Sequence, residues 1–368
     1  MKTSAKIVLF MTCFVISITN LQAADKTSKK TMTKSFTTSP NATLEVFNEF
    51  GNIHISEWDK DEISFEATLT ATAKSQQDAD KMLNTINVSF TSKGSIITAQ
   101  TKYGDAKNCK CSRSVDYLIR VPKNIHYNLK NEFGNINMAN ATGNVQVELE
   151  YGNYKAGNLN GNKNHIGIEF GSHLNIAQIN GNQNQIDAEY SGDMNIDSFD
   201  NLNIKAEFST IKLGTGTKLD IQSEYTTVNI QKVQTLNFKS EFESYTIGEV
   251  DVLFGSAEYT NLNIKQVNKS IRIPNLEFGG LEVNSVSAQF ESIDIKSEYA
   301  PIDIHFDAPS FHIDATSEFG KISLPEIKSS INQTSKDQTT VVTGIVGTDS
   351  SPKAKVKIKG EFANIKLK

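Results

Sequence analysis

Evenly spaced glutamates are the residues of this sequence with the clearest potential for chemistry. They recur every 17 to 21 residues, and each begins a unit of glutamate, an aromatic residue and a small or polar residue. Oxygen ligands in a row suit Ca²⁺, but the aspartate-rich nonapeptide of calcium-binding β-rolls is absent. We therefore expect solvated, structural glutamates, with a specific cation site as the alternative. Lysines stand two residues before four of them, and these are Lys130, Lys205, Lys239 and Lys296.

Histidine and cysteine offer little further chemistry. The two cysteines beyond the N-terminal segment, Cys109 and Cys111, form one C-x-C, whereas a structural zinc site needs four ligands. We expect a local disulfide or two free thiols. His165 and His173 could approach each other across a coil, but two ligands make a weak site. The six histidines (His54, His126, His165, His173, His305 and His312) lack pairwise metal spacing. The sequence thus predicts no catalytic, cofactor-binding or metal-binding residues, and no cofactor.

Composition narrows the class of protein. Hydrophobic residues make up 38% of the 368 residues, which is enough for a substantial core. The formal net charge is −5, and the three arginines are Arg113, Arg120 and Arg272. Nucleic-acid binding needs a basic stripe that neutralises phosphates, so we expect no nucleic-acid partner.

The first 23 residues predict export. Lys2 and Lys6 give a positive start, residues 7–18 are almost continuously apolar, and Ala23 stands at a small-residue cleavage position. This is the pattern of a secretory signal peptide, and the apolar run is short for a membrane span. An uncleaved N-terminal anchor is the alternative. The mature protein is then periplasmic, or at the cell surface or extracellular, and not an integral membrane protein.

Residues 24–35 are polar and basic and predict a flexible leader, followed by a β-rich entry or capping region over residues 36–127. Alternating apolar residues from Ile63 to Leu69 indicate a half-buried strand. One short helix is expected after Ser75, which can cap it, with Ala79 and Met82 on its buried face.

From residue 128 to 328 the sequence is a repeat array, with residues 329–368 as C-terminal strands or a cap. Two short strands per repeat, joined by Asn/Gly turns and without room for a helix, predict an all-β, right-handed β-solenoid or β-helix. Over eleven copies the aromatic residue alternates strictly between Phe and Tyr, so one coil contains either about 18 or about 36 residues. Outlying copies stand at residues 49–51 and 361–363.

The repeat aromatics share the parity of the neighbouring aliphatic positions, which predicts that they point inward. Stacked coils would then hold them as a ladder in the core, with a carbohydrate-stacking groove as the alternative. Truncating a buried ring such as Phe208 to alanine would cost about 3–5 kcal/mol. The glutamates have the opposite parity and are expected to face outward.

Two groups of residues carry a family resemblance. The first is Gly51-Asn52-Ile53-His54-Ile55 with Trp58-Asp59 and the strand over residues 63–69, and the second is Val121-Pro122 with the segment over residues 131–136. In these the chain resembles the bacterial putative-adhesin β-solenoid families, including the head domains of putative autotransporter adhesins. The resemblance implies a solenoid fold over nearly the whole mature chain. It supplies no catalytic residues.

These observations favour a non-enzymatic, exported β-solenoid that presents an extended binding surface, adhesin-like or envelope-associated. A glycan or another envelope or cell-surface component is the expected partner. One alternative is a carbohydrate-active parallel β-helix enzyme, a lyase or hydrolase, which a carboxylate-lined groove and loop insertions would favour. The other alternative is a purely structural envelope element.

Overall fold

The computed structural model describes residues 25–105, 109–307 and 310–368, which form one α-helix and 28 strands that are hydrogen-bonded into one continuous sheet. The all-β prediction with one short helix is confirmed, whereas the proposed signal peptide over residues 1–23 lies outside the described residues. The N-terminal elements are β1 (Lys26–Thr37), β2 (Thr43–Phe50), β3 (Ile53–Glu57), β4 (Glu62–Ala73), α1 (Gln76–Leu83), β5 (Ile86–Lys93), β6 (Ile96–Tyr103) and β7 (Ser112–Val121).

The repeat array forms short strands at first and then long strands that run from one repeat unit to the next. The strands of the array are β8 (His126–Phe133), β9 (Ile136–Met138), β10 (Val145–Glu150), β11 (Tyr154–Leu159), β12 (Lys163–Glu169), β13 (His173–Ile179), β14 (Gln183–Glu189), β15 (Asp193–Glu207), β16 (Thr210–Glu224), β17 (Thr227–Glu241), β18 (Ser244–Glu258), β19 (Asn261–Glu277), β20 (Gly280–Val286), β21 (Ser292–Glu298) and β22 (Ile302–Phe306). The C-terminal strands are β23 (Phe311–Glu318), β24 (Ile322–Ser323), β25 (Ser329–Lys336), β26 (Thr339–Val346), β27 (Lys355–Glu361) and β28 (Ile365–Leu367).

Successive repeats pair in parallel and in register, so one repeat is one rung of the solenoid. Glu189 pairs with Glu207 between β14 and β15, and Glu207 pairs with Glu224 between β15 and β16. The pairing decides between the two expected coil lengths: a coil contains about 18 residues, and the Phe/Tyr alternation runs from rung to rung.

Inward-facing side chains of every rung form one continuous apolar core. In β15 and β16 the inward positions are taken by residues such as Ile204, Ile211 and Leu219, each at most 1% exposed. Buried apolar area is the main driving force for folding. Because each rung is thin, this core exists only when neighbouring rungs stack.

Antiparallel strands and a helix cover the N-terminal end. Strand β1 pairs with β4, β4 with β7, and β5 with β6. The expected flexible leader is wrong from Lys26 onward: these residues form edge strand β1, because β4 offers twelve paired positions. Lysines on such an edge oppose further strand pairing. Helix α1 begins after Ser75, whose side chain accepts a hydrogen bond from the Asp78 amide, as predicted. Cys109 and Cys111 form a disulfide.

Candidate binding surface

The repeat unit is a tight corner at which the chain turns from one row of strands into the other. At Phe208 the backbone enters the left-handed region with a φ of 51°, and ten further aromatic residues, from Tyr151 to Phe362, adopt φ values between 47° and 59°. Two side chains in succession, Glu207 and Phe208, therefore face outward, and the next residue, Ser209, turns inward and is buried. Its hydroxyl donates to the Glu207 carbonyl oxygen at 2.9 Å.

Rings from neighbouring corners stack face to face along the outside of the solenoid. The Phe208 ring lies 4.8 Å from that of Tyr190 and 4.9 Å from that of Tyr225, measured between centroids, with interplanar angles of 2° and 3°. Thirteen rings form this aromatic stripe, in the spatial order Phe50, Phe133, Tyr151, Phe170, Tyr190, Phe208, Tyr225, Phe242, Tyr259, Phe278, Tyr299, Phe362 and Phe319.

The prediction that these aromatics form an internal ladder is wrong. Twelve of the thirteen rings are 39–50% exposed. That prediction requires strand alternation to continue through the corner, but the left-handed residue shifts the alternation by one position. A ladder does exist, on the outer surface. The small residue after most of the aromatics was the available signal, because a small side chain turns inward at that position more easily than a bulky one.

The aromatic stripe exposes an unusually large apolar area. At about 45% exposure of roughly 200 Å² each, its twelve exposed rings present on the order of 1,000 Å². Apolar patches on monomeric proteins reach about 300–600 Å², and larger ones with polar rims mark interaction sites. Each ring covers the face of the next, so the stripe presents ring edges, and the expected alternative of sugars stacked on open ring faces is disfavoured.

Left-handed backbone is costly for bulky residues, at about 1–2 kcal/mol each, yet the chain places an aromatic there eleven times. Glycine or asparagine would fit this conformation with less strain. Such repeated strain indicates that the rings serve a purpose that the corner itself does not require.

An acidic groove runs beside the aromatic stripe on the outer face of the solenoid. The repeat glutamates from Glu150 to Glu241 line one side, and their neighbours two residues upstream line the other. The groove has a volume of about 500 Å³. The ionisable residues that line it are Glu148, Glu150, Glu169, Asp187, Glu189, Lys205, Glu207, Glu224, Lys239 and Glu241. Eight carboxyl groups against two amines make the groove strongly acidic, and the outward prediction for Glu207 agrees with its exposure.

Lysines compensate this charge only in part. Lys239 Nζ lies 3.6 Å from Glu241 Oε1 on its own strand, and Lys130 Nζ lies 3.1 Å from Glu148 Oε2 on the next rung. The Glu148 contact raises the pKa of Lys130, first through its hydrogen bond and then through its charge. Such exposed pairs contribute little to stability. The groove therefore keeps a net negative field.

His165 and His173, which the sequence allowed to approach each other across a coil, have different partners in the structure. His165 Nε2 lies 2.7 Å from Asp187 Oδ2 in one row of strands, whereas His173 Nδ1 lies 3.3 Å from Asn153 Oδ1 beyond the corner. Across the described residues, no group of three or more His, Cys, Asp or Glu side chains is arranged to hold a metal ion. No helix within those residues is long and apolar enough to cross a membrane.

One carboxyl group lies inside the solenoid, and sequence reasoning did not separate it from the rest. Glu243 occupies the inward position after Phe242, where other repeats place a small residue, and is 7% exposed. Its Oε2 accepts from Ser223 Oγ at 2.9 Å, and that hydroxyl lies 2.7 Å from the Tyr245 hydroxyl. Desolvation raises the pKa of Glu243 to about 8, despite the opposing hydrogen bonds. The signal was the single glutamate in the third position of a repeat.

Comparison with known proteins gives a partial likeness in structure. No protein-family model and no curated protein sequence matches this chain. Similar solved structures include a putative adhesin from Parabacteroides merdae (12% identity, 69% of this chain and 96% of that chain, TM-score 0.31). A putative adhesin from Parabacteroides distasonis has 8% identity over 71% and 95% of the two chains, with a TM-score of 0.29.

A putative cell adhesion protein from Clostridium sporogenes has 8% identity over 93% of this chain and 100% of that chain, with a TM-score of 0.19. At such TM-scores the likeness establishes neither a shared ligand nor a shared activity.

Proposed function

We propose that this chain is an exported, non-enzymatic, adhesin-like protein whose aromatic stripe and acidic groove together bind a partner lengthwise. The observation that carries the proposal is the row of twelve half-exposed rings, eleven of them held on strained left-handed corners. The left-handed corner does not need an aromatic side chain, because glycine or asparagine would adopt it with less strain, and the inward residues already supply the core.

The partner we infer is a protein of a cell surface that presents an apolar ridge flanked by basic side chains. Roughly 1,000 Å² of exposed aromatic surface is comparable to the ~800 Å² that each partner buries in a standard protein–protein interface. Aromatic residues are enriched in such interfaces. The acidic groove complements basic groups on the partner and accelerates association with them.

Adhesion to cell envelopes tests this function. Beads coated with the wild-type protein would be compared with beads that carry Tyr190→Asn, Phe208→Asn and Tyr225→Asn together. Asparagine tolerates the left-handed corner, so the change removes rings while keeping the backbone. Phe254→Asn is the matched control, because Phe254 is 43% exposed but stands outside the stripe.

We expect at least a tenfold loss of adhesion for the triple variant and none for the control. Protease treatment of the envelopes should abolish adhesion, whereas periodate oxidation of their sugars should not. A triple variant that adheres like wild type would refute the stripe as the binding surface. Adhesion sensitive to periodate alone would replace the protein partner with a glycan.

A carbohydrate-active enzyme is the second candidate, because the acidic groove is the carboxylate-lined feature that such an enzyme needs. Retaining glycosidases hold two carboxyl groups about 5–5.5 Å apart, which is close to the spacing of adjacent rungs. The groove glutamates form a uniform ladder in which no pair differs in position from the others. Release of reducing sugar from envelope polysaccharides, lost in Glu189→Gln with Glu207→Gln, would favour this candidate.

A further inference from the structure

The last two strands, β27 and β28, form a rung that lies between two other rungs near the C-terminal end of the solenoid. Strand β27 pairs in parallel with β21 on one side and with β23 on the other. Strand β28 likewise lies between β22 and β24. The rungs on either side, β21–β22 and β23–β24, follow each other directly in sequence. The C-terminal segment is therefore inserted between two rungs that precede it in the chain.

The inserted rung is fully integrated. Seven register pairs join β27 to β21, beginning with Ser292↔Lys355. Seven more join β27 to β23, ending with Glu318↔Glu361. Its inward side chains Val356, Ile358 and Ile365 are at most 1% exposed. On the outer surface the Phe362 ring stacks between two rings of the aromatic stripe, at 4.7 Å from Tyr299 and 4.6 Å from Phe319.

Without this segment the solenoid has an open slot. Strand β22 ends at Phe306 and β23 begins at Phe311, and the rungs to which they belong lie on opposite sides of β27 and β28. Rungs separated by about twice the 4.8 Å strand spacing cannot hydrogen-bond to each other. Removing the segment therefore exposes two parallel strand edges and the core between them. Unpaired edges of this kind are templates for another strand.

The segment is attached by a connection that is exposed over residues 348–351. Residues 347–354 join β26 to β27, and Thr348, Asp349, Ser350 and Ser351 are exposed. The pairs of the inserted rung belong to residues 354–368, whereas the connection before them is bonded through the Gly347 amide, which donates to the Lys328 carbonyl oxygen, and the Asp349 amide, which donates to Ser310 Oγ. A copy of the segment from another chain would make the same pairs, and exchange of an identical element is a low-cost route to association.

We propose that the slot between β21 and β23 also accepts the C-terminal segment of a second copy of this chain, so that two solenoids associate by strand exchange. Each copy then donates its Glu361 and Phe362 to the glutamate ladder and aromatic stripe of the other. The exchanged pair holds two stripes in one assembly. The inference does not depend on what the stripe binds.

Cross-linking of full-length chains tests the exchange. Lys296 and Lys359 are register partners on β21 and β27. Two single variants, Lys296→Cys and Lys359→Cys, would be made with the three native cysteines changed to serine. The two proteins would be unfolded, mixed in equal amounts and refolded at high concentration under oxidising conditions. The control mixture pairs Lys296→Cys with Lys212→Cys, an exposed position in the centre of the solenoid.

We expect at least ten times more covalent heterodimer from the Lys296→Cys and Lys359→Cys mixture than from the control mixture. The double variant Lys296→Cys/Lys359→Cys, refolded at low concentration, should form the bond within a monomer, which verifies the geometry. If that intrachain bond forms while the mixture yields no more heterodimer than its control, strand exchange does not occur. Dimers in size-exclusion chromatography without the specific cross-link would likewise contradict the proposal.

Discussion

The aromatic stripe and the interior of the solenoid use the same residue types under opposite conditions. Tyr151 lies on the stripe and is 49% exposed, whereas Tyr154, three positions later, is completely buried. Both are stacked or packed against neighbouring rungs, but only the interior ring belongs to the apolar core. The comparison teaches that the aromatic residues divide into a set that stabilises the fold and a set that the fold displays.

Truncation of the interior ring is expected to have the largest effect. Tyr154→Ala should reduce the free energy of unfolding by about 3–5 kcal/mol, because it leaves a cavity between rungs. It also removes the contact of the Tyr154 hydroxyl with Met138 Sδ at 3.1 Å. Tyr151→Asn should cost less than half as much. Urea unfolding of the two variants measures the difference, and equal losses would mean that stripe and interior are equivalent.

The buried carboxyl group of Glu243 should have the next largest effect. Its pKa in the folded state, about 8, exceeds the unfolded value near 4.5. The folded state therefore keeps a proton that the unfolded state releases, and stability falls as pH rises from about 4.5 to about 8. Between pH 4.5 and pH 7 the wild type should lose about 3 kcal/mol relative to Glu243→Gln.

Unfolding of wild type and Glu243→Gln at a series of pH values checks this slope. Glu241→Gln is the matched control, since Glu241 stands two residues earlier and lines the outer groove. The Glu241→Gln variant keeps Glu243, so it should keep the fall in stability that the buried carboxyl group causes. A wild-type protein with the same pH profile as Glu243→Gln would show that this carboxyl group ionises normally.

Removing one stripe ring should have the smallest effect on stability. Phe208→Asn loses two stacked contacts, worth about 0.5–1.5 kcal/mol each, but relieves about 1–2 kcal/mol of left-handed strain. We expect a net loss of at most about 2 kcal/mol, in place of the 3–5 kcal/mol predicted for an inward ring. Thermal unfolding decides between the two values. A loss above 3 kcal/mol would place Phe208 energetically in the core.

The sequence was sufficient to predict the solenoid, because alternation and a repeat of about 18 residues leave few other ways to bury the apolar positions. It also located the helix, through Ser75 as its cap, and it predicted that the repeat glutamates face outward. The direction of the aromatics was missed because one left-handed residue shifts the alternation, a conformation usual for glycine and rare for Phe or Tyr. The units at residues 49–51 and 361–363 were recognised as outlying copies.

The places of these two outlying units in the aromatic stripe could not be predicted. Phe362 stacks between Tyr299 and Phe319 because the C-terminal segment fills a slot far from its sequence neighbours. The pairing of distant parallel strands has no local signal. Glu243 was likewise missed as a buried acid, since burial at that position depends on the same corner conformation.

Chemical footprinting of the ten tyrosines tests most directly whether the aromatic stripe is a surface. Five belong to the stripe (Tyr151, Tyr190, Tyr225, Tyr259 and Tyr299), and four are buried at 0–3% exposure (Tyr117, Tyr127, Tyr154 and Tyr245). Nitration of the folded protein, followed by peptide mass spectrometry, should modify all five stripe tyrosines and leave the four buried ones unmodified until the protein unfolds. Protection of the stripe tyrosines to the same degree as the buried four would contradict the account.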